Sequence, residues 1–444
     1  MSAQRHPIVL GAGLFYPGGE HITGWRSPAA EPDRYLDLDY YAEFARTAED
    51  GRFATVFIAD ELYVWDRYDS GIDHGVNIRP EPLTLLSALS QLTTKIGLAA
   101  TVSTTYNEPY HVARKLASLD YLSEGRAAWN LVTSASDEEA RNFGKDANLD
   151  HAVRYRRGEE FVDVVQGLWD SWDDDALRYD KASGFFADRG KVHVLDHQGE
   201  FLSVRGPLNI ARPPQGHPPL FQAGASEAGR ALAGRTADAV FTLGSDDLAA
   251  GQRLYRDYKL RARRSGRDPE AVKVLPALQP VIGRTLAEAE EKLRSIEELT
   301  PEQVALDLLS HWLGEDLGAR ELDEKFEFDP DVAGFNQSKS LYASIIALLG
   351  ERDYTLRELY RTVLRRRFVL GTPDSLADRL ATTYEEHAAD GFILMFPTLP
   401  DTLTDFVTEV VPRLTDRGVY PAEYAGDTLR EHLGLARPGS RYAA

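Results

Sequence analysis

The sequence predicts an α/β fold, a closed (β/α)8 TIM barrel formed as one domain over residues 1–444. Three observations predict it. Short β-branched or apolar runs recur eight times, each run is followed by a longer stretch of helical spacing, and no linker rich in Pro, Gly or Ser divides the chain. An open doubly wound sheet is the structural alternative.

The first run is Ile8–Gly13, which closes on Gly11-Ala-Gly13, a tight strand-end turn. Thr55–Ala59, Lys95–Val102 and Ala127–Val132 follow, then Leu220–Ala223, Ala239–Leu243, Val272–Val281 and Phe392–Phe396. Such a barrel needs about 250 residues, so the surplus is expected in insertions after strands 4 and 7. One spans 172–219, polar and irregular, with the turn pairs Gln198-Gly199 and Gly206-Pro207. The other spans 285–370, where Leu286–Leu299, Pro301–Leu313 and Leu341–Leu349 show helical spacing. Leaving the catalytic face of a barrel, this helical insertion is the candidate lid.

Hydrophobic residues make up 43 % of the chain and charged residues 27 %, the balance of an ordinary globular protein. Seventy Asp and Glu against 50 Lys and Arg give a net charge of -20, which argues against nucleic acid as a partner. The absence of cysteine removes disulfides, thiolate metal sites and cysteine nucleophiles. The apolar run after Pro7 is too short for a secretory signal, and Leu341–Leu349 falls far below the roughly 18 residues of a membrane span, so a soluble cytoplasmic protein is expected.

The residues at the strand ends carry the chemistry. Gly11-Ala-Gly13 lacks the third glycine of a dinucleotide turn, and Pro17 interrupts the place where its helix should open. Asp60, Thr101–Thr105, Asn130–Ser134 and Ala225-Ser226 offer one carboxylate and no histidine pair, so no metal site is expected. Asp170–Asp175 lacks the glycine and closing glutamate of a calcium loop, and no Gly-x-Ser-x-Gly elbow occurs. A carboxylate pair for glycoside hydrolysis stays open.

Between Gly125 and Gly144 a strand passes through Trp129 and ends among Asn130, Thr133 and Ser134, neutral groups that hydrogen-bond a polar ring or a phosphate. Asp150 is placed to cap a helix carrying His151, Tyr155 and Glu159 on one face, and the first turn of that helix suits an anion. Gln222-Ala-Gly-Ala-Ser226 then opens another helix through Arg230, with Ser226 either a phosphate ligand or a plain N-cap. Together these segments predict a site for a phosphate-bearing cofactor at the open end of the barrel.

In these segments the chain resembles the nitrilotriacetate and dibenzothiophene-sulfone monooxygenase family, a branch of the bacterial luciferase-like FMN-dependent monooxygenases. The likeness extends through Ser103–Arg114, His151-x-x-x-Tyr155, Leu168-Trp-Asp-Ser-Trp172, Asp390-Gly-Phe392 and Phe406–Leu433. It implies a luciferase-like barrel that takes FMNH2 from a separate NAD(P)H:flavin reductase, reacts it with O2 and oxygenates a small molecule through a peroxyflavin, breaking C-S, C-N or related bonds. It assigns cofactor contacts to Asp60, Thr101, Asn130, Thr133, His151, Tyr155, Ala225 and Ser226, with His151, Tyr155 and Ser226 on the phosphate, and it implies a homodimer or homotetramer. Relatives often carry a Gly-His-Arg run before their Val-Gly-Thr-Pro motif. Here Arg365-Arg-Arg-Phe-Val-Leu-Gly-Thr-Pro373 puts Arg366 at the histidine's place, so that histidine's acid/base roles do not transfer. Arg366 becomes the candidate for recognising an anionic substrate, with a solvated helix-end arginine as the alternative. The rival functions are a deazaflavin-dependent hydride-transfer enzyme, a metal-dependent hydrolase and a non-catalytic flavin-binding protein.

Overall fold

Eight parallel strands close on themselves in the computed structural model, which describes residues 5–66, 68–244, 247–327 and 339–443. They are β1 Val9–Leu14, β2 Thr55–Ile58, β3 Gly97–Ser103, β4 Ala127–Val132, β5 Leu220–Gln222, β6 Ala239–Thr242, β7 Lys273–Ile282 and β8 Gly391–Met395. Each pairs with its successor, and β8 returns to β1 through the register Val9↔Gly391 to Gly13↔Met395. The closed barrel replaces the open-sheet alternative.

All eight expected runs form these strands, with small shifts that have local causes. Lys95 and Ile96 precede β3 because their N–H groups, with that of Thr94, donate to the Glu49 carboxylate and not to a neighbouring strand. A ninth strand, Phe368–Gly371, was not expected. It pairs with the upper half of β7, from Gln279↔Phe368 to Ile282↔Gly371, where β7 runs past the barrel rim.

Helices α1 Leu38–Asp50, α2 Pro82–Leu89, α3 Pro109–Leu122, α4 His151–Trp169, α5 Glu227–Thr236 and α6 Leu248–Arg264 lie between successive strands. Proline at the first turn of α2 and α3 suits the helix start, where its missing N–H is not needed. Residues after α4 form two hairpins, Leu177–Asp180 with Phe185–Ala187 and His197–Gln198 with Ser203–Val204, and Gln198-Gly199 lies at the turn of the second. Beyond β7 come α7 Leu286–Glu298, α8 Glu302–Leu313, α9 Lys339–Glu351 and α10 Leu356–Arg367, then α11 Pro373–Glu385. Residues 328–338 of the 285–370 segment lie outside the described residues.

Three apolar cores follow from this arrangement. Phe57, Ala99, Ala128, Phe221, Leu275 and Ile393 fill the barrel, and Leu429, Leu433 and Leu435 plug its floor. A large layer joins the strands to the surrounding helices. The 285–370 helices carry a core of their own, including Leu293, Leu309, Trp312, Ile345 and Leu359. Among the described residues no helix is long and apolar enough to cross a membrane, and no cluster of three His, Cys, Asp or Glu could hold a metal ion.

Candidate active site

Strand periodicity decides which side chains reach the barrel mouth. Ala128 and Leu275 belong to the barrel interior, and successive side chains alternate faces, so Asn130 and Gln279 point inward as well. Asn130 Nδ2 donates to Thr101 Oγ1 at 2.8 Å, and Thr101 Oγ1 donates to the Ile58 carbonyl at 2.7 Å. Asn130 Oδ1 and Gln279 Oε1 are buried and have no partner among the described residues. An unsatisfied buried acceptor costs about 1–3 kcal/mol, and two of them at the mouth fit a polar heterocycle that would donate to them.

Asp60 ends the β2 side of the mouth, half-buried. Burial pushes its carboxyl up to about 6, against the pull of the Arg79 cation. Glu61 is also raised by burial, with Arg79 Nη2 3.6 Å from its Oε2.

The anion side gathers on the starts of α4 and α5. The His151 and Tyr155 rings lie 4.8 Å apart, one helical turn from each other. A Cβ on Gly229 would stand 3.0 Å from the Tyr155 hydroxyl and 2.7 Å from Gly224 Cα, so two glycines let the turn after β5 close against α4. Ser226 Oγ accepts from the Gly229 N–H at 3.1 Å as the N-cap of α5, leaving its own O–H to donate. The Tyr155 hydroxyl and the Ser226 cap therefore both lie against Gly229. The expected N–H groups of the first turn of α4 are not free: Asp150 Oδ1 accepts from Ala152 and Val153. A bound anion is left with side chains more than backbone.

Thr133 continues the outward face of β4, its methyl against the surface that Gly158 of α4 leaves open, at 3.3 Å from a Cβ placed there. Ala225 is exposed, and its carbonyl accepts from Arg230 at 3.2 Å.

Beside the mouth the helices α8 and α10 roof a cavity of about 160 Å³. Tyr16, Glu20 and His21 after β1 form one wall, Glu61, Tyr63 and Trp65 after β2 a second, and Gln279 joins it to the barrel. Arg367, not Arg366, enters it. Arg367 Nη2 donates to Glu20 Oε1 at 3.0 Å, whereas the Arg366 guanidinium is 48 % exposed and 3.6 Å from Glu351 Oε2. Burial lifts the Glu20 carboxyl to about 7 even with Arg367 beside it. His21 is held down to about 3 by burial and by Arg367, and so stays neutral. A second cavity of about 320 Å³ shares Tyr63, Trp65 and His311 with the first and opens toward Glu138 and Arg141.

Glu20, Arg367 and Gln279 escaped the reading of the sequence. Gln279 left a signal, a polar amide inside the apolar run Val272–Val281; Glu20 left only its place in a strand-end loop.

Neutral hydrogen-bonding groups at the mouth of a closed parallel barrel, beside a cavity roofed by helices, put the candidate site where barrel enzymes carry theirs. The chain belongs to the luciferase-like monooxygenase family, whose model matches residues 20–391, and it is a monooxygenase by class. It is 45 % identical over 449 residues to N-acetyl-S-(2-succino)cysteine monooxygenase of Bacillus subtilis (strain 168), covering 100 % of both chains. It is 44 % identical to nitrilotriacetate monooxygenase component A of Aminobacter aminovorans, covering 97 % of each. Among solved structures, a riboflavin lyase with modified FMN and riboflavin superposes with a TM-score of 0.86 at 32 % identity, covering 97 % of this chain and 96 % of that one. The expected barrel, family and monooxygenase class hold.

Proposed function

We propose that this monooxygenase works with reduced FMN supplied by a separate NAD(P)H:flavin reductase, and inserts one atom of O2 into a small organic substrate with cleavage of a C-S or C-N bond. The observation that carries this reading is the pair of interior acceptors without partners among the described residues, Asn130 Oδ1 and Gln279 Oε1, at the barrel mouth beside the roofed cavity that Gln279 lines. His151, Tyr155 and Ser226 hold the phosphate. Asp60, Thr101 and Asn130 address the ring and ribityl chain, with Thr133 and Ala225 shaping the walls.

Bound flavin supplies the oxygen chemistry. The chain's own residues bind and orient it, and α8 and α10 act as the lid that keeps water from the substrate. The name of the Aminobacter relative, component A, supports a second component as the source of reduced flavin. The names of both curated relatives support a substrate with a C-S or C-N bond.

Oxygen uptake by the purified protein with FMN, NADH and a generic flavin reductase tests the reading over a panel of thioethers and tertiary amines. Uptake coupled to product, with FMNH2 affinity at least about tenfold weaker in Ser226→Ala and His151→Ala, is expected. Equal affinity in both variants, or reduction of a deazaflavin without oxygen uptake, overturns it.

A further inference from the structure

Arg154 and Arg157 stand one turn apart on α4, neither of them exposed, and among the described residues neither has a hydrogen bond or an ion pair. Arg154 Nε and Arg157 Nη1 are buried. Buried guanidinium groups elsewhere are engaged: Arg126 donates to the carbonyls of Ser90 and Ile96, and Arg212 to Asp170 and the Pro438 carbonyl. Burial pushes the Arg157 guanidinium below its ordinary pKa, and nearby Glu108 and Glu160 offset that only in part. Glu160 already accepts from His197 and from the N–H groups of Phe201 and Leu202, and Glu108 is exposed. A buried cation without a counter-charge is costly, so these two call for an anion from outside the chain.

A third donor lies beside them. The Tyr106 hydroxyl is buried and has no partner among the described residues. Its ring is stacked on Phe143, with centroids 4.5 Å apart, and Lys145 Nζ is 5.6 Å from its centroid. Burial raises the Tyr106 phenol, Glu139 adds to it, and Arg154 is near enough to oppose it. Tyr106 and Glu108 belong to one loop between β3 and α3, so the two arginines run along that loop, Arg154 by Tyr106 and Arg157 by Glu108.

The flank of α4 that carries Arg157 is not the flank that carries Tyr155. Each residue turns a helix by about 100°, so these two side chains leave it about 200° apart. Tyr155 meets Gly229 of α5, whereas Arg157 lies toward Glu108 at the start of α3, and Gly158 faces Thr104 and Thr133 between them. A carboxylate has two oxygens in one plane and pairs best with two donors of a single guanidinium. Donors on three separate side chains suit a group with three terminal oxygens. We propose that Tyr106, Arg154 and Arg157 form an oxyanion site on the α3 side of α4, separate from His151, Tyr155 and Ser226, that binds free phosphate or a phosphate monoester alongside the cofactor. The site goes beyond the monooxygenase reading and does not depend on it.

The test uses the full-length protein and inorganic phosphate at low ionic strength, with chloride of matched ionic strength as the control. Binding is read by phosphorus NMR and by the rise in Tm that a ligand of the folded state produces. The expected result is binding in wild type and at least about tenfold weaker binding in Tyr106→Phe, which removes only the hydroxyl, and in Arg157→Met. In phosphate-free buffer Arg157→Met should melt no lower than wild type, since it removes an unpaired buried charge and no bond. If that variant fails to fold, Tyr106→Phe alone carries the affinity comparison. Phosphate without an effect beyond that of chloride overturns the site, as does undiminished affinity in Tyr106→Phe. Arg157→Met that melts lower and binds phosphate as wild type does makes the guanidinium structural and also overturns it. Saturating FMNH2 under anaerobic conditions should leave the bound phosphate in place. Displacement by FMNH2 but not by reduced riboflavin puts the flavin's own tail here and overturns the separate site. Because phosphate binding is first read without flavin or oxygen, failure of the cofactor reading leaves this result standing.

Discussion

Arg366 and Arg367 occupy successive positions at the end of α10, and one residue of helix turns a side chain by about 100°. That turn separates a solvated guanidinium beside Glu351 from one that bonds a buried carboxylate in the cavity wall. Their functional weights should differ accordingly. Arg366→Ala is expected to change kcat/KM by less than about twofold, since an exposed ion pair contributes little. Arg367→Ala strands Glu20 without its partner and is expected to raise KM about tenfold or more, read from steady-state kinetics on whichever substrate the panel yields. The sequence singled out Arg366 as a candidate, with a solvated helix-end arginine as its alternative. Which arginine faced inward was not legible, because the partner, Glu20, is 347 positions away in sequence.

Two helix starts form the proposed phosphate side, and each carries a capping group that competes with ligand binding for the same donors. At α4 the Asp150 carboxylate has already taken two N–H groups. At α5 the Ser226 hydroxyl accepts from one N–H while keeping its proton to give. The cap and the ligand contact can be separated by substitution. Ser226→Ala removes both and is expected to cost about 1 kcal/mol of stability together with flavin affinity. Ser226→Asp keeps a good cap but sets a negative charge against a phosphate, so thermal stability should hold while FMNH2 affinity drops more than about tenfold, measured by fluorescence quenching beside a melting curve. Gly229→Ala would bring a methyl to 2.7 Å from Gly224 Cα and should weaken flavin binding by opening the same turn. These elements were readable because N-cap residues, glycines and apolar spacing are local signals. Phe368–Gly371 was not, since four residues that pair only with the overhang of β7 have no periodicity to show.

The two ends of the barrel are built to different standards of hydrogen bonding. At the floor, the buried Arg126 donates to the carbonyls of Ser90, Thr93, Ile96 and Ser123 and to Thr93 Oγ1. Asp390, before β8, accepts from Val274 N–H at 2.9 Å, Tyr255 at 3.0 Å, Lys259 at 3.0 Å and Arg5 at 3.1 Å. At the mouth, by contrast, Asn130 and Gln279 keep acceptors, and Glu20 an oxygen, that are unpaired among the described residues. A barrel that stabilises one face and reserves the other for chemistry shows this asymmetry, and it has a signature in pH. Burial alone would raise Asp390, but Lys259, the Val274 N–H and Lys273 bring it below the ordinary aspartate value. Its contribution to stability is therefore present above about pH 4 and lost as pH falls further toward its folded pKa. Asp60 and Glu20, lifted by burial to about 6 and about 7, act with the opposite sign: their folding advantage belongs to the protonated form and is lost as pH rises from about 4 through those values. Asp120 on the floor, raised to about 6 by burial, shares that second sign. Denaturant unfolding from pH 3 to 8 should then show Asp390→Asn flattening only the acid limb. The double variant Asp60→Asn, Glu20→Gln should reduce the fall between about pH 4 and 7 and leave the part due to Asp120 and to the other carboxylates that burial raises, Glu61, Glu297 and Asp307. A double variant with an unchanged limb in that window would mean that the mouth carboxylates are solvated in the folded enzyme and that the cavity under α8 and α10 stands open to water.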